Sequence, residues 1–431
     1  MKIIVAVILL VNSLSLESNA EELSLFASNA IVMEANTGEV LYEKNMKEKM
    51  YPASTTKLWT AHLVIENIKD LNKKITVEGD LSWVEPSSMY LKEGETFTVR
   101  ELLEVLMLKS ANDVAVLLAI ETSGSVEEFA KLMNEEAKKI GCMGTNFVNP
   151  NGLPDDNHYS TAYDMALISR EAIKNKSLME IVNTKEIVLP ANEYYPYERR
   201  YINSNKFLTG EGQMSYKGEM VDYKYDIVDG LKTGYTSKAG RCLMSTAKIG
   251  DMRVIVGVFN SKGDDVYTDS RMLIDYAFDN YETESVVKSD EIQEELKKSL
   301  WFSSDSKVSG YIKEDFLVLK EKSLKNRRSM SNDEYRYEVD MVKGIKTSVN
   351  EGDVIGNVKV YKNDEVVDTL DVYASATVKP IFDLEQIILL SFGTSLLIFI
   401  LIRKIKRKKE EENNSSVTRY VGRYRSRYRR N

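Results

Sequence analysis

The segment Pro52-Ala53-Ser54-Thr55-Thr56-Lys57 opens directly onto apolar residues at Leu58, Ala61, Ile65 and Ile68. Those four positions recur at helical spacing, so they mark the buried face of a helix that must lie against a larger body. Ser54 falls in its first turn, with Lys57 one turn on and on the same side. A hydroxyl, an amine within proton-transfer reach and free backbone N–H groups then meet at one helix end. Ser-Thr-Thr ahead of a helix is equally what capping requires. Two readings stand at this point, a helix cap and a nucleophile with its base, and the rest of the chain must separate them.

The 431 residues suffice for two domains, and 43 % hydrophobic content supplies a sizeable core. At the start come Lys2, an apolar run from Ile3 to Val11, and small residues ending at Ala20. This predicts a secretory signal over residues 1–20, with an uncleaved anchor as the alternative. Asn29–Glu34 and Glu39–Glu43, joined by Asn36-Thr37-Gly38, predict a hairpin in the sheet behind the serine helix. Short strands are expected near Lys74–Val77 and Tyr90–Leu91. Thr98-Val99-Arg100-Glu101 forms a capping box before Leu102, Leu103 and Leu106.

Lys109-Ser110-Ala111-Asn112 then interrupts the apolar pattern, which resumes at Val114, Leu117 and Leu118. As a plain turn, Ser or Asn would cap the second helix. As part of a site, Ser110 and Asn112 would stand at the mouth of a cleft facing Ser54. An amphipathic helix over Val126–Ile140 precedes a turn-rich loop, Asn146–Pro154. His158 reads as a loop residue bonded to backbone, and Thr161 as the cap of a helix through Ala172. Tyr194–Tyr225 is polar and tyrosine-rich, which predicts surface loops around Asn203–Phe207.

Lys232-Thr233-Gly234 lies on a strand before two further antiparallel strands, which end at Ala247 and Phe259. Gly234 allows another backbone or a ligand to come close, and a ligand could add as an extra strand. Alone, Lys-Thr-Gly is equally a surface turn. A helix over Ser270–Tyr281 closes this domain. Short strand-like runs at Phe316–Leu319, Tyr337–Val342, Val354–Val360 and Val366–Tyr373 predict a separate all-β domain with no catalytic cluster.

Ile387–Ile402, extended by Leu384, is apolar enough to predict a membrane span, with a hydrophobic helix buried in the β domain as the alternative. Arg403, Lys404, Lys406, Arg407, Lys408 and Lys409 follow it, as a cytoplasmic flank requires. The arginine-rich tail Tyr420–Arg430 is expected to be disordered, either solvated or touching anionic lipid or nucleic acid. Because the net charge of −8 includes this basic end, the main body is markedly acidic, which argues against nucleic-acid binding there. Two histidines exclude a His-rich metal site, and the absence of Gly-x-Ser-x-Gly argues against an ordinary Ser-His-Asp hydrolase. Cys142 and Cys242 form no disulfide framework, although one bridge between them stays open.

Ser-x-x-Lys, Ser-x-Asn and Lys-Thr-Gly in this order form the motif set of penicillin-binding proteins and serine β-lactamases. Tyr51–Lys57, Asn149-Pro150-Asn151-Gly152-Leu153 and Gly230–Thr236 resemble the low-molecular-mass D-alanyl-D-alanine carboxypeptidases more narrowly. The resemblance runs from about Ser28 to Tyr281, and more loosely through the β domain. It implies an α/β (α+β) fold of the β-lactamase/transpeptidase type, an antiparallel sheet flanked by helices. The domain plan is then 21–283 catalytic, 284–380 all-β, 384–402 transmembrane and 403–431 basic cytoplasmic tail.

The chemistry follows from the side chains. With no histidine in the motifs, Lys57 is the base and must be neutral part of the time, which burial and the nearby cation Lys232 favour. Ser54 attacks the carbonyl of the penultimate D-Ala, Ser110 relays a proton to the leaving amine, and Asn112 holds Lys57 and the substrate amide. Lys232 and Thr233 suit the terminal carboxylate. The resemblance adds an oxyanion hole from the N–H groups of Ser54 and Tyr235, beside Gly234.

It further implies a membrane-anchored, extracytoplasmic enzyme, needing no cofactor, that trims peptidoglycan stem peptides and is acylated by β-lactams. Alternatives are an endopeptidase, a β-lactamase or a non-catalytic wall-binding scaffold. One departure stands out. Many relatives carry Arg-Phe-x-Asp before the closing helix, where this chain has Val266-Tyr267-Thr268-Asp269, so carboxylate help is absent or comes from Lys262 or Arg241.

Overall fold

The computed structural model describes residues 23–289, 309–322, 335–341, 349–377 and 384–427. The expected signal at 1–20 lies outside them. The chain divides into two compact units, 1–284 with 318–328, and 285–317 with 329–431.

The first unit is built on a five-stranded antiparallel sheet. Strands β1 (Asn29–Glu34) and β2 (Val40–Lys44) form the expected hairpin. Beyond β1 follow Met252–Ser261, Gly240–Ile249 and, at the far edge, Val228–Thr236. Side chains alternate across a strand, so each strand serves two cores. Ile31 and Met33 of β1 join the core beneath the serine helix, whereas Ala30 and Val32 join the core beneath the closing helix. All six residues of β1 are buried, as helices on both faces require.

Ser54 sits in a 3-10 turn, Ala53–Thr55, which leads into α1, Thr56–Asn67. It therefore precedes the helix instead of forming its first turn. No side chain caps α1, since Thr55 Oγ1 donates to Pro52 O at 2.6 Å. The capping reading of Ser-Thr-Thr fails. α2 (Val99–Leu108) carries the expected capping box between Thr98 and Glu101. The strand partner of Lys74–Thr76 is Thr96–Thr98 and not Tyr90–Leu91. Tyr90 instead belongs to a loop held by Asp113, described below.

The closing helix spans Asp265–Asn280 and starts five residues earlier than the expected Ser270. Val266 and Tyr267 stand one heptad before Leu273 and Ile274 and continue the same apolar stripe, so their burial extends the helix. The expected surface region Tyr194–Tyr225 holds the strand Arg199–Ile202, paired with Glu186–Leu189, a short hairpin of Gln213–Tyr216 and Glu219–Asp222, and one helical turn, Lys206–Thr209.

The second unit contains a four-stranded antiparallel sheet whose long strands are Tyr335–Met341, Val354–Lys362 and Glu365–Ala374. One face packs Ile355, Val358, Val360 and Val372. A helix runs from Leu384 to Arg427, so Tyr420–Arg427, expected to be disordered, continues it. Within it, Gln386–Asn413 is long and apolar enough to cross a membrane. Its apolar side chains are exposed, Phe392 at 76 % and Leu389 at 71 %, which rules out burial in the β unit.

Candidate active site

Four parts of the sequence converge on the Ser54 turn. Lys57 is fully buried, and its Nζ donates to Ser54 Oγ at 3.0 Å, to Asn112 Oδ1 at 2.6 Å and to the Asn151 carbonyl at 2.6 Å. Burial first, and the charge of Lys232 second, hold the Lys57 amine well below its ordinary pKa, while Asp113 opposes them. In its neutral form the amine keeps its two bonds to the carbonyl oxygens and turns its lone pair to Ser54 Oγ, so it can receive the Ser54 proton.

Ser110 adopts φ +62°, a region serine rarely enters. Its Oγ is shielded from solvent and has no hydrogen-bond partner in the protein. A strained residue presenting an unpaired buried hydroxyl fits a group reserved for substrate. α3 runs Asn112–Ser123 with Ala111 at the cap position, so neither Ser110 nor Asn112 caps it. Asn112 instead bridges two walls: Oδ1 faces Lys57, and Nδ2 donates to Pro86 O.

The neighbouring Asp113 is also buried and accepts from Ser88 Oγ at 2.7 Å, Met89 N at 2.9 Å and Leu91 N at 3.1 Å. One helix turn thus orders Lys57 and the loop beside it. Sequence reading passed over Asp113 because an acid at a helix start usually serves the dipole.

The third part is the edge strand. Lys232 is buried, its Nζ donates to Thr233 O at 3.2 Å and Thr233 Oγ1 at 3.4 Å, and burial lowers its pKa to about 7. Gly234 lies against the serine turn, where an added Cβ would come within 3.1 Å of Ser54 N and 3.2 Å of Thr55 N. The backbone that Gly234 admits is therefore the Ser54 turn, which seats the edge strand directly against it. Tyr235 is 58 % exposed, and the Arg241 guanidinium lies 4.8 Å over its ring. Of the two cations expected to replace the missing arginine, Arg241 is the one placed against the motif.

The fourth part is Asn149–Leu153, which cradles the start of α1. Asn151 supplies its carbonyl to Lys57, and Pro150 O accepts from Thr60 Oγ1 at 2.6 Å. Gly152, at φ +78°, passes so close that a Cβ would lie 1.8 Å from Ala53 O. His158 supports this frame: it accepts from Val148 N at Nδ1 (3.2 Å) and meets Thr56 Oγ1 at Nε2 (3.0 Å). Burial pushes it down to about 4, so it stays neutral, as a loop histidine bonded to backbone should. Cys142 and Cys242 are both buried free thiols, so the open question of a bridge closes against it. Among the described residues no cluster of ligating side chains could hold a metal ion.

Comparison with known proteins gives the same answer. A family model described as D-alanyl-D-alanine carboxypeptidase matches residues 16–263, and one described as penicillin-binding protein 5, C-terminal domain, matches 281–380. D-alanyl-D-alanine carboxypeptidase DacF of Bacillus subtilis is 31 % identical over 368 residues, covering 83 % of this chain and 87 % of the relative. The structure of penicillin-binding protein 5 from Haemophilus influenzae is similar at 25 % identity and TM-score 0.58, covering 83 % of this chain and 98 % of that one. Penicillin-binding protein D2 of Listeria monocytogenes in its ampicillin-bound form is similar at 29 % identity and TM-score 0.50, over 59 % of this chain and 99 % of that one. The converged Ser-x-x-Lys, Ser-x-Asn and Lys-Thr-Gly motifs thus sit in a chain that belongs to the D-alanyl-D-alanine carboxypeptidase family of serine peptidases.

Proposed function

We propose that the enzyme removes the terminal D-alanine from peptidoglycan stem peptides in the following way. Ser54 Oγ attacks the penultimate carbonyl as its proton passes to Lys57 Nζ, 3.0 Å away. The N–H groups of Ser54 and Tyr235 hold the developing oxyanion. Ser110 passes the proton on to the leaving amine, whose D-alanine carboxylate rests against Lys232 and Thr233. Water then enters, Lys57 again takes the proton, and the acyl-enzyme is hydrolysed. Asn112 keeps the base aimed throughout.

The observation that carries this reading is the buried Lys57 amine, aimed at a serine hydroxyl and held by two carbonyl oxygens. β-Lactams, which present an amide and a carboxylate to the same groups, acylate Ser54. The ampicillin-bound relative supports this.

The C-terminal apolar helix anchors the protein, with the catalytic unit (21–283) and the β unit (284–380) outside the cytoplasm. The basic residues from Arg403 onward favour a cytoplasmic end by charge.

The test is D-alanine release from diacyl-Lys-D-Ala-D-Ala by the full chain in detergent, beside Ser54→Ala. Release that the substitution abolishes is the expected result. Labelling of Ser54 by a fluorescent penicillin without any release would instead assign a different substrate.

A further inference from the structure

Ser204 lies in the tyrosine-rich region that the motifs leave unused, yet its Oγ is 2.6 Å from Thr233 Oγ1. The turn that presents it is built from buried polar groups. Asn203 is 6 % exposed and donates to Val182 O and Thr184 O, while Asn205, 1 % exposed, accepts from Phe207 N at 3.1 Å. Ser204 itself is fixed at both ends of its backbone. Its N–H donates to Leu108 O at 3.2 Å, two residues before Ser110, and its carbonyl accepts from Tyr267 Oη at 3.1 Å. Buried amides on either side of one exposed serine hold that hydroxyl at the edge strand, between two motifs.

A threonine hydroxyl has one proton and two acceptor sites. Lys232 Nζ, 3.4 Å away, directs a proton at Thr233 Oγ1. With Ser204 as the donor of their shared hydrogen bond, that contact fills the remaining acceptor site and leaves the Thr233 proton free to point outward. A carboxylate accepts and never donates, so this arrangement suits it. The nearby cation Lys206 is committed to Asp264 at 3.0 and 3.1 Å, and Val266, at the start of the closing helix, is apolar and buried.

We propose that Ser204 is a substrate-positioning residue, orienting the Thr233 hydroxyl toward the free C-terminal carboxylate and so favouring terminal D-alanine over substrates lacking that charge. The inference rests on Lys232 and Thr233 forming the carboxylate end of the site.

The test compares diacyl-Lys-D-Ala-D-Ala with the ethyl thioester of diacyl-Lys-D-Ala, whose activated leaving group has no carboxylate. Both are turned over by the full chain in detergent, as wild type, Ser204→Ala and Ser204→Thr. In Ser204→Ala the ratio of kcat/KM for peptide over thioester falls about tenfold, the loss of one charge-assisted contact, with KM carrying most of it. Ser204→Thr restores the ratio. Wild-type turnover with an unchanged ratio in Ser204→Ala overturns the inference alone, and so does an equal loss on both substrates, which marks a structural role. Wild type that releases no D-alanine overturns the functional reading along with it.

Discussion

The two units bury different things. In the second, the fully buried side chains among the described residues are apolar, Val287, Ile312, Ile355, Val358, Val360, Val372 and Ala374. In the first, Lys57, Asn112, Asp113, His158, Lys232 and Asp269 are buried as well. Burying a charge or an amide costs free energy unless partners replace water. The first unit supplies those partners: two carbonyl oxygens for Lys57, four donors for Asp113 and two backbone N–H groups for Asp269. The β unit spends its interior on packing, the catalytic unit on holding groups ready to react.

That contrast can be broken by experiment. Lys57→Met should lower D-alanine release on the order of 10³-fold or more while the near-UV circular dichroism of the folded protein persists, because it removes the base and keeps the volume. Gly152→Ala forces a Cβ into Ala53 O, at a φ of +78° that alanine resists, so the serine turn must move. A loss of about 100-fold in kcat/KM is expected, measured on the same peptide.

The pH profile sharpens the contrast further. kcat/KM should rise as Lys57 loses its proton and fall as Lys232 loses its own near pH 7, since the reaction needs the first neutral and the second charged. Lys232→Met removes the cation that holds Lys57 down, which moves the rising limb to higher pH. The smallest effect on activity belongs to the β unit. Val358→Ala, at a fully buried position, should destabilise that unit by about 2 kcal/mol in thermal unfolding and leave D-alanine release unchanged. A matching loss of turnover would show that the β unit shapes the site.

Much of this was legible in order along the chain. The hairpin, the capping box at Thr98, the long strands of the β unit and the apolar C-terminal run are local patterns, because periodicity and turn chemistry act over a few residues. The three motifs are legible for a related reason: each carries reactive side chains at short spacing. The closing helix shows the limit, since the burial of Val266 and Tyr267, not a cap signal, decided where it begins.

What the sequence determined by itself is which groups are present and which lie on one element. What only the tertiary structure decided is how those groups meet. Asn151 reaches Lys57 through a backbone carbonyl, an atom every residue carries, so its identity gives no sign of the role. Ser204 and Thr233 stand 29 positions apart and touch only because a buried asparagine turn packs against an edge strand. Gly234 advertises a close approach, but that the approaching chain is the Ser54 turn depends on the sheet and α1 being packed together. Local propensity cannot carry such contacts, because they exist only once the core has set the distance between elements far apart in the chain.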